Sequence, residues 1–228
     1  MELTGKKIFG ITGDIASGKT FTCNKLVKIA TKKKIKLQIL SVDDIRRNIL
    51  SKSKKQKHID LRKLLIKKLK LKKIDKKYAF INLLEISNRI FGNVNNMKFF
   101  RSQVNKEIYL IIKNHILKTK DIIILEWAFL IEDGFINLTN GNVIFIKCHK
   151  RQRLKRLKNT DLPRSNLRKR LQVQRNFKKT KNEIIKFQKK TGKGALIIFD
   201  STKNPDNNKY TQLFNKIINT FDNKIHKI

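Results

Sequence analysis

An α/β fold, a parallel sheet layered between helices, is predicted by three features of this 228-residue chain. Five short runs are nearly continuous in apolar residues, as strands buried on both faces of a parallel sheet are. The segments between them carry helical rather than hairpin periodicity, the alternation expected of a layered α/β core. The first run ends at a glycine, which opens a loop that leads into a helix.

The runs are Lys6–Thr12 (KKIFGIT), Lys36–Val42 (KLQILSV), Asp121–Leu125 (DIIIL), Asn142–Ile146 (NVIFI) and Ala195–Phe199 (ALIIF). After the first, Leu26, Val27, Ile29 and Ala30 supply the apolar face of a helix that fades into Lys32, Lys33 and Lys34. At the other end, Leu213, Phe214, Ile217, Ile218 and Phe221 recur at helical spacing and predict a closing helix. Two helical insertions interrupt the strands, so the expected organisation is a core of 1–50, 121–148 and 191–228. A substrate-covering region of 51–120 and a lid of 149–190 complete it. Phe99 and Phe100 read as helix core, and Trp127 as packing.

Residues Gly13–Thr20 (GDIASGKT) fit G-x-x-x-x-G-K-[ST], in the strand-to-helix context that gives the pattern meaning. Gly13 and Gly18 let the backbone turn tightly and bring amide N–H groups to phosphate oxygens, with Ile15, Ala16 and Ser17 between them. The helix N-terminus adds partial positive charge at the same place. Lys19 has the reach for β- and γ-phosphates, and the Thr20 hydroxyl can ligate Mg²⁺. The expected ligand is therefore ATP with Mg²⁺. Asp14 occupies an open position of the pattern and is expected to point away from the phosphates. Ala16 is expected to cost little, provided its φ is negative.

At the end of the second run stands Val42–Arg47 (VDDIRR). Strand C-termini line the ligand crevice of an α/β sheet, which places Asp43 toward the transferred phosphate. A carboxylate there can accept or orient the proton of an attacking hydroxyl, and Arg47, one helical turn on, can hold an anionic acceptor. Asp43 as a helix cap is the competing reading, and Asp44 is a rival for either role.

The net charge of +38, from 55 Lys and Arg against 17 Asp and Glu, admits a polyanionic partner. The lysines are spread over nearly every segment, in a chain also rich in Ile and Asn, and no nucleic-acid-binding motif accompanies them. Compositional drift is the preferred reading, and nucleic acid is not the expected partner. Cys23 and Cys148 have no metal-ligand spacing and read as buried small residues. His58, His115, His149 and His226 form no ligand cluster by spacing. No apolar run reaches membrane-spanning length and no leader is evident, so a reduced, cytoplasmic setting is expected. A monomer is the preferred oligomeric reading, with an oligomer left open.

Several blocks, in order, resemble the dephospho-CoA kinase family. Its G-G-I-G-S-G-K-S/T is matched by GDIASGKT, and its A-D-x-I-x-R by VDDIRR at Asp43, Ile45 and Arg47. Its I-D-R block running to I-V-F resembles INLLEISNRIF (Ile81–Phe91), and D-I-P-L-L-F-E aligns with EWAFLIE (Glu126–Glu132). A-x-x-R-I-x-x-Q resembles LRKRLQVQ, giving Arg170 and Gln174, and the final A-D-x-V-I-D-N resembles ALIIFDS. The chain departs from the family at Asn105-Lys106, where His-Pro is usual, and at Leu83, Ala128, Glu126 and Thr160. Arg153, Arg156 and Arg164 lie near the last of these.

The resemblance implies a P-loop NTPase core, three-layered α/β/α around a five-stranded parallel sheet, with a helical acceptor-binding insertion and a helical lid. It implies transfer of the ATP γ-phosphoryl group to the ribose 3′-hydroxyl of dephospho-CoA. Asp43, Arg47 and Glu126 would then meet the acceptor, with Glu126 alternatively on a metal-bound water, and Arg156 and Arg170 would close from the lid. Another P-loop nucleotide kinase, or a basic nucleic-acid-binding P-loop ATPase, are the rival readings.

Overall fold

The computed structural model describes residues 3, 5–72, 74–158 and 177–225. Five strands, β1 (Ile8–Gly13), β2 (Leu37–Ser41), β3 (Ile122–Glu126), β4 (Val143–Lys147) and β5 (Leu196–Asp200), form one sheet in the order β2-β3-β1-β4-β5. The sheet is all parallel and the fold is α/β. In register, Ile11 of β1 lies beside Glu126 of β3 and Gly13 beside Ile146 of β4, so the C-terminal ends of these strands meet at one edge.

Four strands run one residue past their apolar signal, to Gly13, Glu126, Lys147 and Asp200. Those extra residues stand at the crevice end, where polarity serves the site rather than the core. β2 stops one residue early, because Ser41 caps the helix that follows.

Two compact units divide the described residues. The first runs to Leu40 and resumes at Ile112; the second is Ser41–Ile111. The sequence reading carried the core through residue 50, whereas the structure groups 41–50 with the helical unit.

In the first unit, Phe9 and Ile11 of β1 point to one face of the sheet. There they join Ile124, Ile144 and Ile146 against Cys23, Leu26 and Ala30 of α1 (Lys19–Lys32). Leu213, Phe214, Ile217 and Phe221 of the C-terminal helix, Asn207–Ile225, complete that cluster. On the opposite face Gly10 sits so close to Leu130 that a Cβ would lie 2.3 Å from its side chain. That approach seats the 3₁₀ turn Phe135–Thr139 against β1. Phe145 packs on Phe177, ring centroids 4.9 Å apart, at the start of the helix Phe177–Thr191.

The helical unit contains α2 (Val42–Ser51), α3 (Gln56–Leu69), α4 (Leu83–Ile90) and the first part of α5 (Val94–Lys118). In the first unit α6 (Lys150–Lys158) and α7 (Phe177–Thr191) come between β4 and β5, and α8 (Asn207–Ile225) follows β5. Helix α2 packs on α3 and α4. At the centre of this unit is Arg62, wholly buried, which sequence reading did not single out. Its guanidinium donates to the Ile49, Ser53 and Tyr78 carbonyls and lies over the Phe80 ring. Four hydrogen bonds to backbone oxygens replace the water an arginine normally keeps. Buried His58 bridges Ser53 Oγ (2.6 Å) and Glu107 Oε1 (3.0 Å), and so ties α3 to α5.

Candidate active site

The loop after β1 is built from strained and glycine-dependent backbone. Gly13 has φ 146° and lies against β4, where a Cβ would come 2.4 Å from the Ile146 carbonyl oxygen, so no side chain is possible. Ser17 N–H donates to Asp14 O (3.1 Å), closing a turn, and Gly18, in the left-handed region at φ 95°, starts α1. Ala16 also lies in the left-handed region, at φ 57°. The expectation of a negative φ is therefore corrected. The loop keeps the conformation suited to glycine, and the alanine bears a cost of about 1–2 kcal/mol from its Cβ against the following carbonyl.

At the loop's end Lys19 arches back, its Nζ donating to Gly13 O (2.9 Å) and Asp14 O (3.0 Å). The Thr20 hydroxyl, in the first turn of α1, donates to Glu126 Oε1 at 2.5 Å. Glu126 is placed there by the parallel pairing of β1 with β3, which continues as Trp127 N–H donates to Ile11 O (3.1 Å). Trp127 itself is buried, its indole N–H on Asp133 Oδ2 (2.7 Å), as a packing residue would be. The buried Ser17 hydroxyl has no hydrogen-bond partner among the described residues.

Two arginines of α6 reach the loop. Arg156 donates to Ala16 O (3.2 Å), Ser201 O (2.8 Å) and Asn204 Oδ1 (3.2 Å), joining the loop to the end of β5. Ser201, absent from the sequence-based site, reinforces this join by donating to Ser17 O at 2.5 Å. Its position two residues after the fifth apolar run was the available signal. Arg153 pairs with Asp14, Nη1 to Oδ2 at 3.1 Å, with both side chains largely buried. Burial pushes the Asp14 carboxyl above its ordinary range, and the charges of Arg153 and Lys19 pull it back. Arg170 lies outside the described residues, as do Arg164, Thr160 and Gln174.

In the helical unit, Ser41 accepts a hydrogen bond from Asp44 N–H (3.2 Å) and is the N-cap of α2. The capping reading of Asp43 therefore falls. Asp43 sits in the first turn, exposed and paired with Arg46, while Arg47 pairs with Asp44 at 3.4 Å. These carboxylates also complement the positive end of the helix dipole. Neither Asp43 nor Arg47 is held by a burial requirement of the fold.

A glycine-flanked loop with Lys19 and Thr20 at its helical end, opening from the central strand of a parallel sheet, defines the P-loop class of nucleotide-binding α/β proteins. The family model for dephospho-CoA kinase (CoaE) matches residues 7–186, and the chain belongs to that family. Among solved structures, it is similar to TT1252 from Thermus thermophilus, with 14% identity and a TM-score of 0.68. That likeness covers 94% of this chain and 97% of the other. It is also similar to a dephospho-CoA kinase from Campylobacter jejuni, with 21% identity and a TM-score of 0.51, over 96% and 98% of the two chains. No curated protein matches the chain significantly.

Proposed function

We propose that this kinase transfers the γ-phosphoryl group of ATP to the ribose 3′-hydroxyl of dephospho-CoA, giving CoA. The observation that carries the reading is the family match over 7–186, which takes in the loop, Asp43, Arg47 and Glu126 together. Phosphoryl transfer of this kind depends on positioning and charge neutralisation, because its transition state is loose and anionic. Backbone amides from Gly13 to Thr20 and the Lys19 ammonium cradle the triphosphate. Asp43 orients the acceptor hydroxyl and takes its proton, Arg47 holds the acceptor's phosphate or ribose, and Arg156 contacts the nucleotide from α6.

Thr20 and Glu126 fit Mg²⁺: both present hard oxygen donors, already 2.5 Å apart. Among the described residues no cluster of three or more acidic, His or Cys side chains forms a cage. Such a partial donor set suits an ion that draws its other ligands from phosphates and water. Held by Thr20 and Glu126, Mg²⁺ would supply charge neutralisation to the triphosphate. No helix among the described residues is long and apolar enough to cross a membrane, and a monomeric cytoplasmic enzyme is part of the proposal.

The test is phosphate transfer from ATP·Mg to a panel of acceptors. Formation of the 3′-phosphorylated product from dephospho-CoA is expected. Turnover of a nucleoside monophosphate, with none of dephospho-CoA, would overturn the reading. Salt-resistant DNA binding at ~150 mM salt with DNA-stimulated ATP hydrolysis would instead favour a nucleic-acid-dependent ATPase.

A further inference from the structure

The phosphate loop of this chain carries a negative charge where it must receive a polyanion. Asp14 follows Gly13 directly, and its backbone carbonyl accepts a hydrogen bond from Lys19 Nζ. A carboxylate so placed opposes a triphosphate unless something neutralises it. Arg153 does so from a different element, one turn along α6 from Arg156. The pair is substantially shielded from solvent, with side-chain exposures of 15% for Arg153 and 18% for Asp14, so neither salt nor water screens it as at a surface. Arg153 Nε is buried with no hydrogen-bond partner among the described residues. The guanidinium is thus spent on one carboxylate instead of a network of carbonyls, unlike Arg156 on the same helix.

We infer that Asp14 and Arg153 form an electrostatic clasp that sets the charge of the phosphate cradle and makes Arg153 a positioning residue for nucleotide binding. Arg153 acts through Asp14, cancelling its charge and holding its carboxylate away from the loop's amide donors. This rests on the reading that the loop binds ATP, but not on the identity of the acceptor.

The charge logic gives the two single variants opposite signs. Arg153→Gln leaves the Asp14 carboxylate beside the bound phosphates with only Lys19 to offset it, and that charge weakens ATP binding roughly tenfold to hundredfold. Asp14→Asn leaves Arg153 as a free cation and tightens ATP binding. Asp14→Asn combined with Arg153→Gln recovers most of the affinity lost in Arg153→Gln alone. A clasp acting only by mechanical bracing would weaken binding in both single variants and show no recovery in the double.

The experiment is titration of each full-length protein with a fluorescent ribose-labelled ATP analogue in Mg²⁺, with circular dichroism to confirm the fold. Arg153→Lys, which keeps the charge, substitutes for the Gln variant should the latter fail to fold, and it should bind ATP within about threefold of the parent. Opposite signs with recovery in the double variant support the clasp. Equal losses in both single variants, loss in Arg153→Lys as deep as total removal of the charge, or no change in any variant overturn it. Failure of the parent protein to bind the analogue removes both the clasp and the ATP reading. Binding by the parent without turnover of dephospho-CoA removes the acceptor assignment and leaves the clasp to the variants.

Discussion

Thr20 Oγ1 lies 2.5 Å from Glu126 Oε1, joining the first turn of α1 to the C-terminal end of β3. Two residues 106 positions apart become one oxygen pair because β1 and β3 run parallel in register. Thr20→Val keeps the shape of an exposed side chain and removes the oxygen. The variant should fold like the parent and lose about 10²–10³ in kcat, with chelation by EDTA abolishing turnover in the parent. Steady-state kinetics across a Mg²⁺ titration measures both.

Asp43 is exposed and paired with Arg46, and Ser41 does the capping of α2. Asp43→Asn should therefore leave stability and ATP affinity nearly unchanged while lowering kcat about 10²–10⁴-fold, the range for loss of a positioned base. Full activity in that variant would take Asp43 out of the mechanism.

Ala16, at φ 57°, sits where glycine carries no Cβ penalty. Ala16→Gly should stabilise the protein by about 0.5–1 kcal/mol and raise Tm by about 1–4 °C. Differential scanning calorimetry checks it, and a lower Tm would show that Ala16 contributes contacts that outweigh its strain.

Arg62 is wholly buried and holds three backbone carbonyls. Arg62→Met fits the volume but strands those oxygens, and it should cost about 3–5 kcal/mol. Urea denaturation reads the loss, and a variant as stable as the parent would show that the acceptors find other donors.

Burial alone would raise the Glu107 pKa, but hydrogen bonds and charge from Lys57 and His58 outweigh it and hold the carboxyl below its ordinary 4.5. A carboxylate whose folded pKa is depressed stabilises the fold above its unfolded pKa and loses that contribution as pH falls through the folded one. Stability should therefore decline as pH drops below 4.5. Glu107→Gln should flatten that decline and lower stability at pH 7 by about 1–3 kcal/mol. Urea midpoints between pH 3 and pH 7 test the sign.

The apolar runs gave all five strands to within two residues, although only β1, β3 and β4 are buried along nearly their whole length, whereas β2 is half-buried and Ile198 of β5 is exposed. The C-terminal ends of β3 and β5 were read one residue short because Glu126 and Asp200 are polar. GDIASGKT and VDDIRR were equally legible, as contiguous patterns whose chemistry is local. Arg62 and His58 were not, since a buried charged residue looks in sequence like any other polar residue on a lysine-rich helix. What determined the fold class, the phosphate loop and the family was periodicity and short-range pattern, all present in the sequence by itself. What only the tertiary structure decided was which distant residues share an electric field: Thr20 with Glu126, Asp14 with Arg153, and Arg156 with Ser201. Strand register and helix placement bring these groups together, and neither is written in the spacing of any one segment.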